Sequence, residues 1–461
     1  MSPPSMPRLL EPLFSTDRVR EILGDRGRLQ AMLDFEAALA RAEARVDVIP
    51  STAVTAIAAQ CRAEFYDMSA MAQEATLAGN LAIPMVKVLT ALVARTEQEA
   101  AEFVHWGATS QDAIDTGLVL QLRDVFTVID EDLARLAARF AALAATHERT
   151  PLAGRTWLQH AAPMSFGLKA VGWLDVTGRH RERLRETRAR LLTLQFGGAA
   201  GTLAALGAKG MVVASALAED LSLALPDLPW HTHRDRVAEV ATTLGLLVGT
   251  LGKVARDISL LMQTEVGEAF EPGGPGRGGS SSMPHKRNPV GSAVILAAAL
   301  RVPPLVSTML TAMGQEHERG LGGWQAEWET LPEICLLTSG ALAHLIQVAE
   351  GLEVDEARMR ANLDLTHGLI MSEAVTMALT GHLGRSAARR LVEEAIGRAR
   401  ESGRGLRDVL EDELQVAAYL SSTDLDRVFD PRSYLGCAEQ FVDRALTTHA
   451  AGLATEAEGT V

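Results

Sequence analysis

Residues 114–143 read IDTGLVLQLRDVFTVIDEDLARLAARFAAL, and this stretch decides the fold. Its apolar residues recur at steps of three and four, at Ile114, Leu118, Leu122, Val125, Ile129, Leu133, Leu136, Phe140 and Leu143. Such spacing places them on one stripe of an α-helix. Because the stripe continues without a break, it predicts one long helix that is packed along its whole length.

A second apolar stripe of the same kind covers residues 237–261. Gly245, Gly249 and Gly252 lie beside it, and small residues allow helices to approach closely. Helices this long cannot bury such stripes in a small globule, so we expect an all-α fold with a central bundle completed by other subunits. Expected boundaries near residues 112 and 354 give an N-terminal helical domain (1–112), a central long-helix domain (113–354) and a C-terminal helical domain (355–461).

The composition favours helix and limits the classes of function. Of the 461 residues, 47% are hydrophobic and only 4% are aromatic, and this bias favours helix over sheet. The formal net charge of −14 argues against a nucleic-acid binder that works through a basic face. Three widely spaced cysteines show neither a disulfide framework nor a zinc spacing, which is typical of a reducing, cytoplasmic setting.

Neither an export signal nor a membrane span is expected. Residues 1–8 lack the apolar core of a signal peptide, and the most apolar helix candidate, residues 240–252, is too short to cross a bilayer. The glycines at 197–201 lack the spacing and the preceding strand of a dinucleotide site. No metal-ligand cluster or cofactor motif is visible, so the sequence predicts chemistry without a cofactor or a metal.

Residues 273–290 read GGPGRGGSSSMPHKRNPV, an order that suits a closing loop. The glycines lower the barrier to motion, and the serines and Lys286 offer hydroxyls and a cation to an anionic substrate. Asn288 followed by Pro289 predicts a helix start with Asn288 as N-cap, which would place Lys286 beside a helix N-terminus that favours anions. A plain surface linker is the alternative, but linkers rarely carry Met-Pro-His-Lys-Arg-Asn-Pro directly after serines.

Three further segments carry polar side chains that suit a carboxylate substrate. Residues 105–112 read HWGATSQD, which taken alone also fits an ordinary capping turn before the long helix. Residues 154–163 read GRTWLQHAAP, and residues 315–329 read QEHERGLGGWQAEWE. In the last segment Arg319 is a candidate bidentate clamp for a carboxylate, whereas Trp324 and Trp328 fit packing.

The serine loop carries a family resemblance. Its pattern Ser280-Ser281-x-Met283-Pro284-x-Lys286-x-Asn288 resembles the signature of the fumarase/aspartase superfamily, which includes adenylosuccinate lyase and argininosuccinate lyase. The resemblance covers nearly the whole chain. It implies three helical domains, a homotetramer with a central helix bundle, and active sites that are each assembled from several subunits.

Two segments acquire roles from this resemblance. In the loop, Ser280 would transfer the proton, and Lys286 and Asn288 would hold the carboxylate that spreads the negative charge of the intermediate. Ser281 beside it would bind substrate. In residues 105–112 the Thr-Ser-x-Asp pattern implies a carboxylate-binding turn, whose candidate contacts are His105, Thr109, Ser110 and Gln111.

Residues 154–163 depart from the superfamily in a way that chemistry explains. Members commonly read Gly-Arg-Thr-His there, and that histidine protonates the leaving group, but this chain has Trp157. A hydroxide or amine leaving group needs a proton, whereas a carboxylate leaves or attacks as a stable anion. His160, expected one helical turn further on, either replaces the missing acid or has a structural or carboxylate-binding role. Thr156, Trp157 and Gln159 are candidate substrate contacts.

The departure at Trp157 and the stretch GNLAIPMVK at 79–87 resemble the cycloisomerases that lactonize carboxylated muconates. The resemblance therefore implies a cofactor-free enzyme acting on a small polycarboxylate.

A superfamily lyase that expels another stable anion, such as nitrite from nitrosuccinate, is the alternative. Adenylosuccinate lyase chemistry is disfavoured because residues 66–74 lack the histidine expected there. A non-catalytic helical scaffold is disfavoured because the loop serine, lysine and asparagine are all present.

Overall fold

The computed structural model describes residues 9–274, 276, 278, 279 and 282–458, with the side chains of the last helix described to residue 454. Ser280 and Ser281 lie outside the described residues. The chain divides into two compact units. The first comprises Met1–Leu133, His180–Gly252 and Ala293–His344, and the second comprises Ala134–Arg179, Lys253–Ser292 and Leu345–Val461. The division into three domains at residues 112 and 354 stays a prediction.

Helices account for most of the described chain, which confirms the all-α prediction. The α-helices are α1 (Glu11–Phe14), α2 (Asp17–Leu23), α3 (Asp25–Arg45), α4 (Ser51–Gln60), α5 (Met68–Ala78), α6 (Ala82–Thr96), α7 (Ser110–Thr146), α8 (Phe166–Leu191), α9 (Gly210–Leu221), α10 (Asp235–Met262), α11 (Val290–Thr311), α12 (Gly323–Glu350), α13 (Glu356–Asp364), α14 (Ser372–Leu383), α15 (Arg385–Ser402), α16 (Leu406–Glu411), α17 (Leu414–Ala417), α18 (Ser422–Phe429) and α19 (Ala438–Glu458). Short 3-10 turns lie at Ala63–Phe65, Ala100–Phe103, Ala204–Lys209, Leu369–Met371 and Pro431–Tyr434.

Both predicted stripes lie on long, packed helices. α7 is 37 residues long and α10 is 28 residues long, and their stripe residues are largely buried. Glycine permits the close approach of α10 to α11, as predicted for Gly245 and Gly252. A methyl group added at Gly252 would lie 2.7 Å from the Cβ of Ala299, and one at Gly245 would lie 2.9 Å from a methyl of Val306.

The length expected for the apolar segment 240–252 is wrong, because α10 extends well beyond it on both sides. Within the described residues, α10, α11 and α12 are each long and apolar enough to cross a membrane by length and composition. The apolar composition of α10 and α12 is explained by burial, since 61% of the apolar window of α10 and 72% of that of α12 are buried inside the protein. Only 22% of the window of α11 is buried, so this helix keeps an uncovered apolar surface.

Two small antiparallel pairs supplement the helices of the second unit. β1 (Pro151–Thr156) pairs with β2 (Gln159–Ser165), and β3 (Ala269–Phe270) pairs with β4 (Glu353–Val354). The placement of His160 one helical turn after the Gly-Arg-Thr segment is therefore wrong. His160 faces Arg155 across the β1–β2 hairpin. Pro151 and Pro163 lie within this stretch, and proline disfavours a helix interior.

The second unit also has an apolar core of its own near the C-terminus. Buried side chains of α14, α15, α16 and α18 form it, including Leu379, Leu406 and Leu410. These residues recur with helical spacing on short amphipathic helices. The core explains how the chain beyond residue 354 packs without long stripes.

Candidate active site

A buried carboxylate organises the first polar cluster, in the unit that contains α7. Asp112 accepts hydrogen bonds from the backbone amides of Thr109 (3.0 Å), Gly197 (3.0 Å) and Gly198 (2.9 Å). Nε2 of His231 lies 2.8 Å from its Oδ1. One carboxylate thus fastens the Thr-Ser turn at the start of α7 to the glycine segment at 197–201. The sequence pattern placed Asp112 in the turn but did not show these partners.

Arg319 lies against this turn, held by neutral oxygen atoms. Its Nε donates to Oε1 of Gln111 (3.1 Å), and its Nη1 donates to Oγ1 of Thr109 (3.2 Å). Its Nη2 donates to the carbonyl of Ala199 (3.2 Å). The structure therefore brings Arg319 together with Thr109 and Gln111, which the sequence analysis named from a distant segment. Neutral acceptors orient the guanidinium without cancelling its charge, as a site for a carboxylate requires.

The amide of Gln111 is committed to protein partners. Gln111 is fully buried, and its Nε2 donates to Asp115 (3.0 Å) and to the carbonyl of His231 (2.8 Å). Its carbonyl accepts from Arg319. This geometry supports an indirect role in which Gln111 orients Arg319. Direct contact of Gln111 with substrate stays a prediction. Ser110, the first residue of α7, is partly buried beside it.

Sequence reasoning missed the ion cluster beneath Gln111. Arg234 pairs with Asp115 at 2.6 Å and with Glu327 at 2.6 Å, and all three side chains are buried. Burial opposes the charge of Arg234, but the two carboxylates outweigh that effect and raise its pKa. Trp324 is buried against the cluster and donates to Asp115 (3.0 Å), so it packs as predicted and also hydrogen-bonds. Arg234 precedes α10, whereas Asp115 and Glu327 lie on α7 and α12, so no local pattern relates the three residues.

His105 precedes the turn in a left-handed backbone conformation, with a φ of 57°. Its Nδ1 lies 2.6 Å from Oε1 of Glu36 on α3. Burial disfavours the charged ring, but the Glu36 carboxylate outweighs burial, and the pKa of His105 is raised. An unusual backbone conformation at a polar residue is often retained at functional sites.

The tip of the β1–β2 hairpin presents the candidate contacts of the second unit. Thr156, Trp157 and Gln159 are exposed, and Trp157 is 94% exposed. Trp157 and Leu158 form the two-residue turn with φ values of 54° and 61°. A type I′ turn requires positive φ at both positions and normally uses Asn-Gly, so two bulky residues here are strained.

An ion pair supports the hairpin next to its tip. Arg155 donates to both carboxylate oxygens of buried Glu268, at 2.8 and 2.7 Å, and Asn362 donates to the same carboxylate at 2.8 Å. His160 lies partly buried across from Arg155. Burial and the charge of Arg155 lower the pKa of His160, although Glu268 opposes them. A neutral imidazole is thus favoured, and its role as an acid stays a prediction.

The described part of the serine loop is pinned to the start of α11. Asn288 donates from its backbone to the carbonyl of Gly278 (2.8 Å) and from Nδ2 to that of Gly279 (3.4 Å). Lys286 is exposed. The catalytic candidate Ser280 and its neighbour Ser281 lie outside the described residues. Asn288 therefore fastens the glycine segment that leads to them, and its contact with substrate stays a prediction.

The predicted N-cap of α11 is wrong. The helix begins at Val290, and the carboxylate of buried Glu271 accepts from the amides of Gly291 (2.9 Å) and Ser292 (2.7 Å). An internal anion already occupies the helix N-terminus, so those amides are not available to a substrate. Glu271 is distant from α11 in sequence, which is why local capping patterns did not reveal it. Within the described ranges no cluster of His, Cys, Asp or Glu has the grouping of a metal site.

Comparison with known proteins identifies the family. Residues 14–303 match a family model described as lyase, and residues 368–445 match one described as adenylosuccinate lyase C-terminus. A 3-carboxy-cis,cis-muconate cycloisomerase of Pseudomonas aeruginosa is 60% identical over 442 residues, 96% of each chain. The crystal structure of 3-carboxy-cis,cis-muconate lactonizing enzyme from Pseudomonas putida matches with a TM-score of 0.93 at 57% identity, over 96% of this chain and 99% of that chain. A nitrosuccinate lyase of Streptomyces davaonensis is 42% identical over 446 residues, 95% of this chain and 94% of that protein. The chain therefore belongs to the lyase family, within the fumarase/aspartase superfamily.

Proposed function

We propose that this enzyme lactonizes 3-carboxy-cis,cis-muconate to a carboxymuconolactone, a step of the β-ketoadipate route of protocatechuate degradation. It is a cycloisomerase, an intramolecular lyase. The observation that carries the proposal is Trp157, exposed at a strained hairpin tip where superfamily members place an acid. A substrate carboxylate that attacks or leaves as an anion needs no such acid. The full-length identity to cycloisomerases points to the same reaction.

The reaction balances within one substrate molecule. A carboxylate oxygen forms a bond to one carbon of a double bond, and the π electrons move to the neighbouring carbon, which lies beside another carboxylate. Ser280 donates its hydroxyl proton to that carbon and recovers one from solvent. Lys286 and Asn288 bind the carboxylate that carries the delocalised charge, in keeping with the electrostatic stabilisation of such intermediates.

Arg319 is proposed to hold a second carboxylate of the substrate. It is oriented by Thr109, Gln111 and Ala199, all through neutral oxygens. Because these acceptors are neutral, the positive charge of Arg319 can pair with a carboxylate of the substrate. His105 and Ser110 lie on the same turn and complete the proposed contacts of the first unit. Thr156, Trp157, Gln159 and His160 are proposed to contribute from the hairpin.

We also propose a homotetramer with shared active sites. α11 leaves apolar side chains uncovered, among them Leu300, which is 78% exposed. A contiguous apolar helix face of this kind is typical of a subunit interface. Burial of the apolar faces of α10 and α12 inside the protein favours this assembly over membrane insertion. Buried, unpaired Cys61 and Cys335 support a cytoplasmic location.

A single charged substitution on α11 tests the oligomeric state. Leu300→Glu places a carboxylate on the exposed face of α11, where burying an unpaired charge at an interface is costly. We expect light scattering after size exclusion to give a tetramer for the wild type and smaller species for Leu300→Glu. Leu414→Glu, at an exposed leucine on α17, is the matched control and should stay tetrameric. A monomeric wild type contradicts the proposal.

The activity is tested by following the conjugated diene of 3-carboxy-cis,cis-muconate in the ultraviolet. The purified enzyme should consume the diene, and Ser280→Ala should lose nearly all of this activity. Ser282→Ala, two residues further along the same loop, is the matched control and should retain it. Wild-type rates in Ser280→Ala would contradict the proposed proton transfer.

A second candidate is a lyase that expels nitrite from nitrosuccinate. Trp157 suits this reaction as well, because nitrite also leaves as a stable anion. The Streptomyces relative supports keeping this candidate. Fumarate and nitrite formed from nitrosuccinate, without loss of the muconate diene, would favour it over lactonization.

A further inference from the structure

A buried glutamate, Glu36, lies directly behind His105. Their side chains meet at 2.6 Å between Nδ1 of His105 and Oε1 of Glu36. The carboxylate comes from the middle of α3, whereas the imidazole comes from the turn before α7. His105 keeps this contact with a positive φ of 57°, a conformation that is disfavoured for a residue with a Cβ. The contact is thus made by a turn under strain.

The surroundings of Glu36 contain other titratable groups, and burial keeps them neutral. Glu43, two turns along α3, is fully buried, and neither of its carboxyl oxygens has a hydrogen-bond partner among the described residues. Burial, assisted by the charge of Glu36, raises the pKa of Glu43 to about 9. Burial likewise raises the pKa of Cys61 and of Tyr66, and the charge of Glu36 adds to the shift in both.

Among the described residues, two acidic groups act on the charge of the imidazole. Glu36 acts through its hydrogen bond and its charge, and Asp112 on α7 adds a weaker attraction. Burial alone would favour the neutral ring, but these carboxylates prevail and raise the pKa of His105. Because Nδ1 is engaged by Glu36, Nε2 is the ring nitrogen that remains for a further partner. The same turn carries Thr109, which orients Arg319.

We infer that Glu36 is a positioning residue that holds His105 as an imidazolium whose Nε2 donates to a carboxylate of the substrate. A carboxylate behind a functional imidazole fixes its orientation and its protonation, much as it does for metal-binding histidines. Glu36 does not touch the substrate. This inference rests on the proposed function, since it takes a polycarboxylate as the ligand of the turn.

The test measures binding of tricarballylate, a saturated tricarboxylate, by calorimetry at pH 6 and pH 8. Glu36→Gln keeps the size of the side chain but removes the charge that favours the imidazolium. At pH 8 its Kd should rise about tenfold, and the rise should be smaller at pH 6, because a lower pH restores part of the imidazolium that burial disfavours once the carboxylate is lost. Glu43→Gln is the matched control, because a protonated carboxyl and an amide are alike in charge, and it should bind as the wild type does.

Two further variants decide between positioning and a merely structural role. His105→Gln should bind tricarballylate weakly, with a similar Kd at pH 6 and pH 8. The double variant Glu36→Gln/His105→Gln should have the same Kd as His105→Gln alone, because Glu36 acts through His105. Glu36→Asp keeps the charge, so its loss of affinity at pH 8 should be smaller than that of Glu36→Gln, which provides a reading if Glu36→Gln does not fold. An equal loss at both pH values, or none at pH 8, overturns the inference, as does a wild type that does not bind tricarballylate.

Turnover separates this inference from the proposed function. If the wild type binds tricarballylate and Glu36→Gln shows the expected larger loss at pH 8, but the wild type does not consume 3-carboxy-cis,cis-muconate, the proposed reaction is refuted and the role of Glu36 is retained. If the wild type consumes carboxymuconate but Glu36→Gln binds tricarballylate normally at pH 8, the proposed reaction is retained and the role of Glu36 is refuted.

Discussion

Arg234 and Asp115 form an ion pair at 2.6 Å in which both side chains are only 1% exposed. Asp115 also accepts from Gln111, which in turn accepts from Arg319. A fully buried cation is thus two side chains away from the arginine proposed to bind substrate. The pair is linked to the site through hydrogen bonds, and within the described part of the chain Arg319 has no carboxylate partner.

Removing the buried cation should destabilise the protein strongly. Arg234→Met leaves Asp115 and Glu327 buried together without a counter-charge, and breaking a buried ion pair in this way costs about 3–5 kcal/mol. Unfolding in urea should report the loss. Arg190→Met removes an exposed pair with Glu239 and should shift the midpoint little. Equal small shifts in the two variants would contradict this account of the cluster.

Replacing the proposed clamp should weaken the use of substrate more than the fold. Arg319→Lys keeps the charge but loses the planar fork and its three neutral acceptors. Hydrogen bonds to charged groups contribute about 1.5–3 kcal/mol, so kcat/KM for carboxymuconate should fall about 10- to 100-fold.

The control for this clamp is Arg135→Lys, at an exposed arginine that pairs with Glu350. Its kcat/KM should stay at the wild-type value. Steady-state kinetics on both variants, together with a melting curve, distinguish lost binding from lost folding. A value for Arg319→Lys within twofold of the wild type would refute the clamp.

The hairpin tip should reveal its strain when glycine replaces Leu158. Leu158 has a φ of 61°, which glycine adopts readily, so Leu158→Gly should be more stable than Leu158→Ala by about 1 kcal/mol. Both variants remove the same exposed side chain, and the difference between them isolates the backbone. Melting temperatures provide the measurement. A glycine variant less stable than the alanine variant would mean that the turn is unstrained.

Glu43 should make stability fall as the pH rises. Its folded pKa of about 9 lies above the ordinary value of 4.5, so between these values the folded state holds a proton that the unfolded state has lost. The free energy of unfolding of the wild type should therefore decline, relative to Glu43→Gln, by up to about 1.4 kcal/mol per pH unit across this window.

Urea unfolding at pH 5, 7 and 9 checks this dependence. Glu74→Gln, at an exposed carboxylate paired with Lys87, is the control and should differ from the wild type by a nearly constant amount. If the wild type and Glu43→Gln kept the same difference at all three pH values, Glu43 would be ionised in the folded protein.

Local patterns predicted the features that depend on neighbours in sequence. The stripe from Ile114 to Leu143 predicted α7. Of the three glycines beside the second stripe, Gly245 and Gly252 lie where α10 approaches α11 closely, and Gly249 does not. The hairpin was missed because Thr156 to His160 was read with helical spacing, although Pro151 and Pro163 were a warning. The local pattern predicts Asn288 as the N-cap of α11, whereas the carboxylate of Glu271, directly after β3, accepts from the first amides of the helix.

By itself, the sequence determined the helical fold, the family and the segments that carry chemistry, because apolar periodicity and short motifs are local properties of the chain. Only the tertiary structure decided which charges are used internally and which remain for a substrate. Glu271 occupies a helix N-terminus, Glu36 engages His105, and among the described residues Arg319 donates to neutral oxygens. These partners are far apart along the chain, and a buried charge acts through whatever packing brings next to it.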